Sequence, residues 1–259
     1  MQVRMRQMAV KKTRLDRVVV EKGLAGSRQR AQALIMGGKV FVNNRPANKS
    51  GAMVSPDDLV AVRGMDMPYV SRGGLKLAAA LEKNNICVRG CVCLDAGAST
   101  GGFTDCLLQN GASTVFAVDV GYGQLAWKLR QDPRVVVMER TNIRHMPPQA
   151  ITRPIDLVTV DVSFISLKIV IPAIMHIMQK DADILALIKP QFEVGRGKVG
   201  KGGVVRDPAL HEEVIRDLKI FFTGKGLSCN SVVPSPVLGP KGNREFIVWL
   251  KYSHIASQT

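Results

Sequence analysis

Cys93-Leu-Asp-Ala-Gly-Ala-Ser-Thr-Gly-Gly-Phe-Thr104 is the stretch whose reading decides the fold. An apolar strand runs into Asp95, a small-residue turn follows, and a helix opens behind it. Gly97, Gly101 and Gly102 have no side chains, so a ligand can lie against the backbone. The helix N-terminus adds unpaired N–H groups. Together these predict a nucleotide-type cofactor loop. Asp95 argues against a dinucleotide, because a carboxylate would repel a pyrophosphate and attract the cationic head of S-adenosylmethionine. A second apolar strand, Val115-Phe-Ala-Val-Asp119, ends in another acid about 20 residues on, where a ribose-gripping carboxylate is expected. The segment predicts a methyltransferase that uses S-adenosylmethionine.

Working outward, strands and helices alternate. Strands are expected near 91–95, 114–119, 134–139, 156–161, 183–189, 229–234 and 245–251. Helices are expected near 101–110, 123–131, 165–179 and 208–225. Such alternation implies an α/β fold, an open and mostly parallel sheet with helices on both faces. Ligands in these sheets sit beyond the carboxyl ends of the strands. Asp95, Asp119, Glu139 to Asn142, Asp161 and Lys189 all fall there. Lys189 closes the apolar run Ile184–Ile188. At such a position desolvation and neighbouring cations can lower a lysine pKa and make it a general base; a structural ion pair with Asp161 is the alternative.

The chain has 259 residues and a formal net charge of +15. Residues 1–76 hold 15 Lys+Arg against 5 Asp+Glu, and the rest holds 21 against 16. An excess concentrated at the front suggests a polyanion-binding module. Residues 1–12 read as a basic arm. Thr13 to Gly23 reads as a helix capped by Thr13, and Ser27 caps a second, Arg28–Met36, that stops at Gly37-Gly38. Lys39–Asn43 and Leu59–Val62 read as strands. The domains are expected at 13–63 and 73–252, with 64–72 as linker.

The five cysteines have no spacing that suits a disulfide framework or a zinc knuckle, so no metal is expected, and reduced thiols fit a cytoplasmic protein. No apolar run approaches the ~20 residues that span a membrane, and the N-terminus has no signal-peptide pattern.

Arg14, Leu15, Asp16, Ser27, Arg28, Ala31, Gly38, Val40, Val42 and Asn43, with Asp57-Asp58, resemble an S4 RNA-binding domain. That resemblance implies RNA contacts from Arg14, Arg28, Arg30 and Lys39. The set Lys76, Asp161, Lys189 and Glu245 looks like the catalytic tetrad of FtsJ-like ribose 2′-O-methyltransferases. The phrases Val70-Ser-Arg-Gly-Gly-Leu-Lys76, Asp119-Val-Gly-Tyr-Gly-Gln-Leu125, Asp161-Val-Ser-Phe-Ile-Ser166, Lys189-Pro-Gln-Phe-Glu193 and Gly242-Asn-Arg-Glu245 resemble the TlyA family, which joins the two domains. The resemblance implies methyl transfer from S-adenosylmethionine to the 2′-hydroxyl of a cytidine in ribosomal RNA, and a ribosomal RNA or subunit as partner.

On this reading Lys189 deprotonates the hydroxyl with help from Lys76, while Asp161 and Glu245 hold the two ammonium groups. Asp119 binds the cofactor ribose and Asn142 lies near the adenine. Asp95, Ala96, Gly97, Ser99, Thr100, Gly101, Gly102 and Phe103 surround the methionine end, with Asp161 alongside. The basic loop Gly195–Gly203, through Arg196 and Lys198, is expected to close over RNA. A dehydrogenase would leave Asp95, the tetrad and the basic front unexplained. A pseudouridine synthase would not need this sheet. A membrane-lytic protein would need an apolar or amphipathic segment, and none is evident.

Overall fold

The computed structural model describes residues 12–63 and 67–252, so the expected basic arm lies outside the described residues but for Lys12. The chain divides into two compact units between residues 66 and 67.

The first unit contains β1 (Thr13–Arg14), α1 (Leu15–Glu21), α2 (Arg28–Met36), β2 (Val40–Val42), β3 (Arg45–Pro46), β4 (Met53–Val54) and β5 (Val60–Val62). Thr13 is not the cap of α1. It pairs with Val54 in a two-residue ladder, and Arg14 takes the cap position with no side-chain bond. Ser27 does cap α2, accepting from the Arg30 amide at 3.2 Å. Asn43 and Asn44 both take positive φ, which turns β2 tightly into β3. Asp58 locks this hairpin to the β5 approach, accepting from Asn43 Nδ2 at 2.7 Å and the Ser55 amide at 2.6 Å. Leu15, Val19, Ala31, Leu34, Ile35 and Val40 pack as the core of the unit.

The second unit contains α3 (Gly73–Asn84), β6 (Val92–Ala96), α4 (Gly102–Gln109), β7 (Thr114–Val118), α5 (Trp127–Arg130), β8 (Val135–Met138), β9 (Ile155–Val160), α6 (Leu167–Ile174), β10 (Met178–Ile188), α7 (Pro190–Glu193), α8 (Pro208–Thr223), β11 (Leu227–Pro234) and β12 (Phe246–Tyr252). The seven strands run in the order β11-β12-β10-β9-β6-β7-β8. All are parallel except β12, which runs antiparallel to both its neighbours. Side chains alternate across the sheet. Leu94, Val158 and Ile184 face one layer with Ile171, Leu218 and Phe222 from α6 and α8. Cys93, Leu157 and Leu185 face the other with Leu77 and Leu107 from α3 and α4.

Residues 67–72, expected as linker, are tied to this unit. The Val70 amide donates to Asp105 at 2.8 Å, and Gln109 donates to the Pro68 carbonyl at 2.8 Å. Tyr69 packs on α3 at Gly74, where a Cβ would stand 2.2 Å from the ring. Burial there pushes the tyrosine hydroxyl up to about 12. Cys91 lies just before β6 and Cys93 within it, and all five cysteines are free thiols. Among the described residues no helix is long and apolar enough to cross a membrane.

Candidate active site

The strand order reverses at β6. The chain builds outward to β7 and β8, then returns to place β9 on the other side of β6. This is the switch point where open α/β sheets bind ligands. The segments leaving β6 and β9 come very close: the Asp161 amide donates to the Ala96 carbonyl at 2.9 Å. Gly97 makes this possible. Its φ is +87°, and a Cβ there would sit 2.7 Å from the Asp161 carbonyl oxygen.

Two cavities open over the switch point and share Gly97, Ser99, Asp161 and Ser163 as walls. The larger, about 1020 Å³, is lined by Asp119, Gln124, Asn142 and Ile143 on one side and by Phe164, Ile169, Gln191 and Phe192 on the other. Asp119 accepts from the Ser99 amide at 2.8 Å and the Gly121 amide at 2.7 Å. A carboxylate has about four lone-pair sites, so Asp119 can still take two hydroxyls. Asn142 accepts from the Arg144 amide at 3.1 Å and thereby fixes the turn that carries it into the cavity.

The smaller cavity, about 390 Å³, is lined by Arg72, Lys76, Thr100, Gly102, Phe103, Asp161, Lys189 and Gly239. Two ion pairs meet it. Lys189 Nζ lies 2.6 Å from Asp161 and donates to the Val162 carbonyl at 2.9 Å and to Ser163 Oγ at 3.0 Å. Lys76 Nζ lies 2.5 Å from Glu245 Oε2. Both lysines are 8% exposed. Local sequence explains the placement. Lys76 sits in the first turn of α3. Lys189 directly follows β10 as the N-cap of α7, where Pro190 starts the helix and fixes the exit. Glu245 precedes β12, whose register sets Phe246 beside Ile188, one residue from Lys189.

The structure therefore gathers residues 169 positions apart, and it also corrects the reading of the loop. Asp95 and Ala96 are not wall groups: both are fully buried. Asp95 accepts from the Thr104 amide at 2.9 Å, Thr104 Oγ1 at 2.7 Å and Thr159 Oγ1 at 3.0 Å. Burial raises its carboxyl to about 6. It ties the start of α4 to β6 and β9 beneath the cavities. Gly101 also faces inward, under Leu125 and Leu129, so it lines neither cavity. Glu245 stands behind Lys76 with its second oxygen against Gly239.

Sequence reasoning misses Phe164 and Gln191. Phe164 is 89% exposed with φ +64°, its ring 5.1 Å from that of Phe192. A signal for both exists, since they lie in the quoted phrases after β9 and β10. Tyr122 is exposed, with the Arg140 guanidinium stacked over its ring 4.2 Å from the centroid. Among the described residues no group of His, Cys, Asp and Glu could hold a metal ion.

In the first unit, Arg14 and Arg28 converge on one buried carboxylate. Asp16 accepts from Arg14 Nε at 3.1 Å and Nη2 at 3.0 Å, from Arg28 Nε at 3.0 Å and from Gln32 at 3.0 Å. The Arg14 guanidinium, above all, holds Asp16 well below the usual carboxylate range. The two arginine side chains remain 43% and 55% exposed. Arg30 and Lys39 are half-buried. Lys198 pairs with Glu213, and the side chain of Arg196 lies outside the described residues.

Comparison with known proteins agrees with the two-unit fold. The FtsJ-like methyltransferase family matches residues 69–252, and the S4 domain matches residues 13–60. The 16S/23S rRNA (cytidine-2′-O)-methyltransferase TlyA of Mycobacterium tuberculosis is 50% identical over 242 residues, 93% of this chain and 90% of that one. Hemolysin A of Brachyspira hyodysenteriae is 41% identical over 236 residues, 90% and 98% of the two chains. A solved structure from Streptococcus thermophilus, described as a hemolysin, superposes with a TM-score of 0.74 at 41% identity, covering 95% and 90%. The chain belongs to the FtsJ-like methyltransferase family and carries an S4 domain ahead of its methyltransferase domain.

Proposed function

We propose that this protein transfers methyl from S-adenosylmethionine to the ribose 2′-hydroxyl of a cytidine in 23S ribosomal RNA, with 16S RNA as a second target to be tested. The observation that carries the reading is the pair of buried lysine–carboxylate contacts, Lys76–Glu245 and Lys189–Asp161, at one small cavity. The TlyA relative is named for the same reaction. The Asp119 side of the larger cavity suits the donor: Asp119 offers lone pairs to two ribose hydroxyls, Asn142 borders the adenine side, and Gly97 and Ser99 lead toward Asp161. S-adenosylmethionine supplies an activated methyl group when bound.

The remaining work belongs to the chain. Lys189, fixed by Asp161, the Val162 carbonyl and Ser163, orients the 2′-hydroxyl and in its amine form takes the proton. Lys76, fixed by Glu245, holds the same oxygen from the other side. Much of the acceleration comes from this positioning. Residues 13–63 form the RNA-binding part. A guanidinium has five N–H donors, so Arg14 and Arg28, already oriented by Asp16, keep donors for phosphates, with Arg30 and Lys39 nearby in sequence. The protein works in the cytoplasm, where its substrate is.

The test is labelled-methyl transfer to isolated small and large subunits from a strain that lacks the modification, followed by mapping of the labelled ribose. The wild type labels a cytidine 2′-oxygen, and Lys189→Ala loses at least about 10²-fold in rate with S-adenosylmethionine binding intact. Label on a base, or wild-type turnover by Lys189→Ala, overturns the assignment.

A further inference from the structure

Among the described residues, two buried side-chain oxygens have no hydrogen-bond partner, Glu245 Oε1 and Gln191 Oε1. Both belong to residues at the active site. Glu245 is already engaged through its other oxygen. Gln191 has no such role: it follows Lys189 by two residues, on α7, and lines the larger cavity beside Phe164 and Phe192. An amide carbonyl enclosed without a donor is costly, and such an atom at a ligand cavity calls for a donor on the ligand.

We propose that Gln191 Oε1 accepts a hydrogen bond from the exocyclic amine of the acceptor cytosine, which makes Gln191 a specificity-determining residue. This rests on the ribose-methylation reading above. Two amines enter such a site, that of cytosine and that of the cofactor adenine. Topology separates them. Asp119 and Asn142, on the adenosine side, follow β7 and β8, whereas Gln191 follows β10. In the order β10-β9-β6-β7-β8, inter-strand steps of about 4.8 Å each separate Gln191 from Asp119 by three and from Asn142 by four. Gln191 shares its strand end with Lys189, where the acceptor ribose is held, so the base joined to that ribose is the nearer amine. Uracil offers a carbonyl in place of the amine, and two acceptors would face each other. A site built to satisfy a buried polar group rejects a ligand that leaves it unpaired.

The experiment compares kcat/KM on ribosomal RNA carrying the mapped target cytidine with the same RNA carrying uridine there, and measures the S-adenosylmethionine Kd by titration. The full-length wild type prefers cytidine. In Gln191→Leu the cytidine-to-uridine ratio falls by about tenfold or more, through loss on cytidine together with relief of the clash on uridine, with the Kd unchanged within about threefold. Gln191→Glu, which keeps an acceptor and gains no donor, retains the preference and decides the matter if the Leu variant does not fold. An unchanged ratio in Gln191→Leu, a lost preference in Gln191→Glu, or a defect that follows weakened cofactor binding overturns the assignment of Gln191 alone. Absence of ribose methylation by the wild type on either RNA overturns the underlying reading and this inference with it.

Discussion

Asp95 shows how one carboxylate can be central to a binding loop without touching a ligand. Its burial raises the carboxyl to about 6 from an ordinary value of 3.8. Between about pH 4 and pH 6 the folded protein holds a proton that the unfolded chain has released, so this group's contribution to stability falls as pH rises through that window. A rise of that size corresponds to about 3 kcal/mol. Asp95→Asn removes the titration and can keep the contacts to Thr104 and Thr159. We expect the stability of Asp95→Asn relative to wild type to rise by about 2–3 kcal/mol from pH 4 to pH 7 in urea unfolding. A difference that does not change with pH would place the raised carboxyl elsewhere. The lysine pairs follow another logic. Removing one partner of a buried pair strands the other charge, at about 3–5 kcal/mol, while the intact pair contributes little net stability. Lys76–Glu245 and Lys189–Asp161 are thus better explained by the chemistry proposed for them than by stability.

At the scale of elements, the site depends on how α3 receives the segment before it. Gly74 leaves room for the Tyr69 ring at a place where a Cβ would lie 2.2 Å away, whereas at Gly73 the nearest atom would be Ser71 Oγ at 3.3 Å. Gly74→Ala should therefore expel Tyr69 and cost about 1–3 kcal/mol by overpacking, and Gly73→Ala should change stability by less than about 1 kcal/mol. Denaturant unfolding of the two variants checks the pair; equal losses would mean that Tyr69 does not set the fit. Some of this architecture is legible in the sequence. Each apolar run of the sheet ends at a polar residue, so Asp119, Asp161 and Lys189 can be placed at strand ends from alternation alone. What escapes is decided by distant partners. Thr13 looks like a cap until Val54 pairs with it. The stretch 64–72 looks like a linker, but in its described part, 67–72, Asp105 and Gln109 bind the backbone. Asp95 looks like a ligand group until Thr104 and Thr159 enclose it. None of these partners is near in sequence except Thr104, and a local pattern does not reveal on which side of the loop a carboxylate points.

For the whole molecule, 36 Lys+Arg against 21 Asp+Glu set the field in which an RNA partner is met. Few aromatic side chains are available, 5% of the chain, so recognition should rest on phosphates and RNA shape. Affinity for ribosomal RNA should then fall steeply with salt, by roughly 10³ between 50 and 200 mM if about six phosphates are contacted. A salt-insensitive affinity measured over that range would argue for recognition through bases. The topology of the second unit has a consequence for how such an enzyme comes into being. Lys76 and Glu245 stand 169 positions apart, and Glu245 immediately precedes β12, which must insert between β10 and β11. Contacts of such long sequence separation form late, and during synthesis the N-terminal parts fold first. Among the described residues β12 comes last in chain order, so Lys76 gains its carboxylate partner only once that strand has docked, and a nascent chain that stops short of it should carry the lysine without that partner.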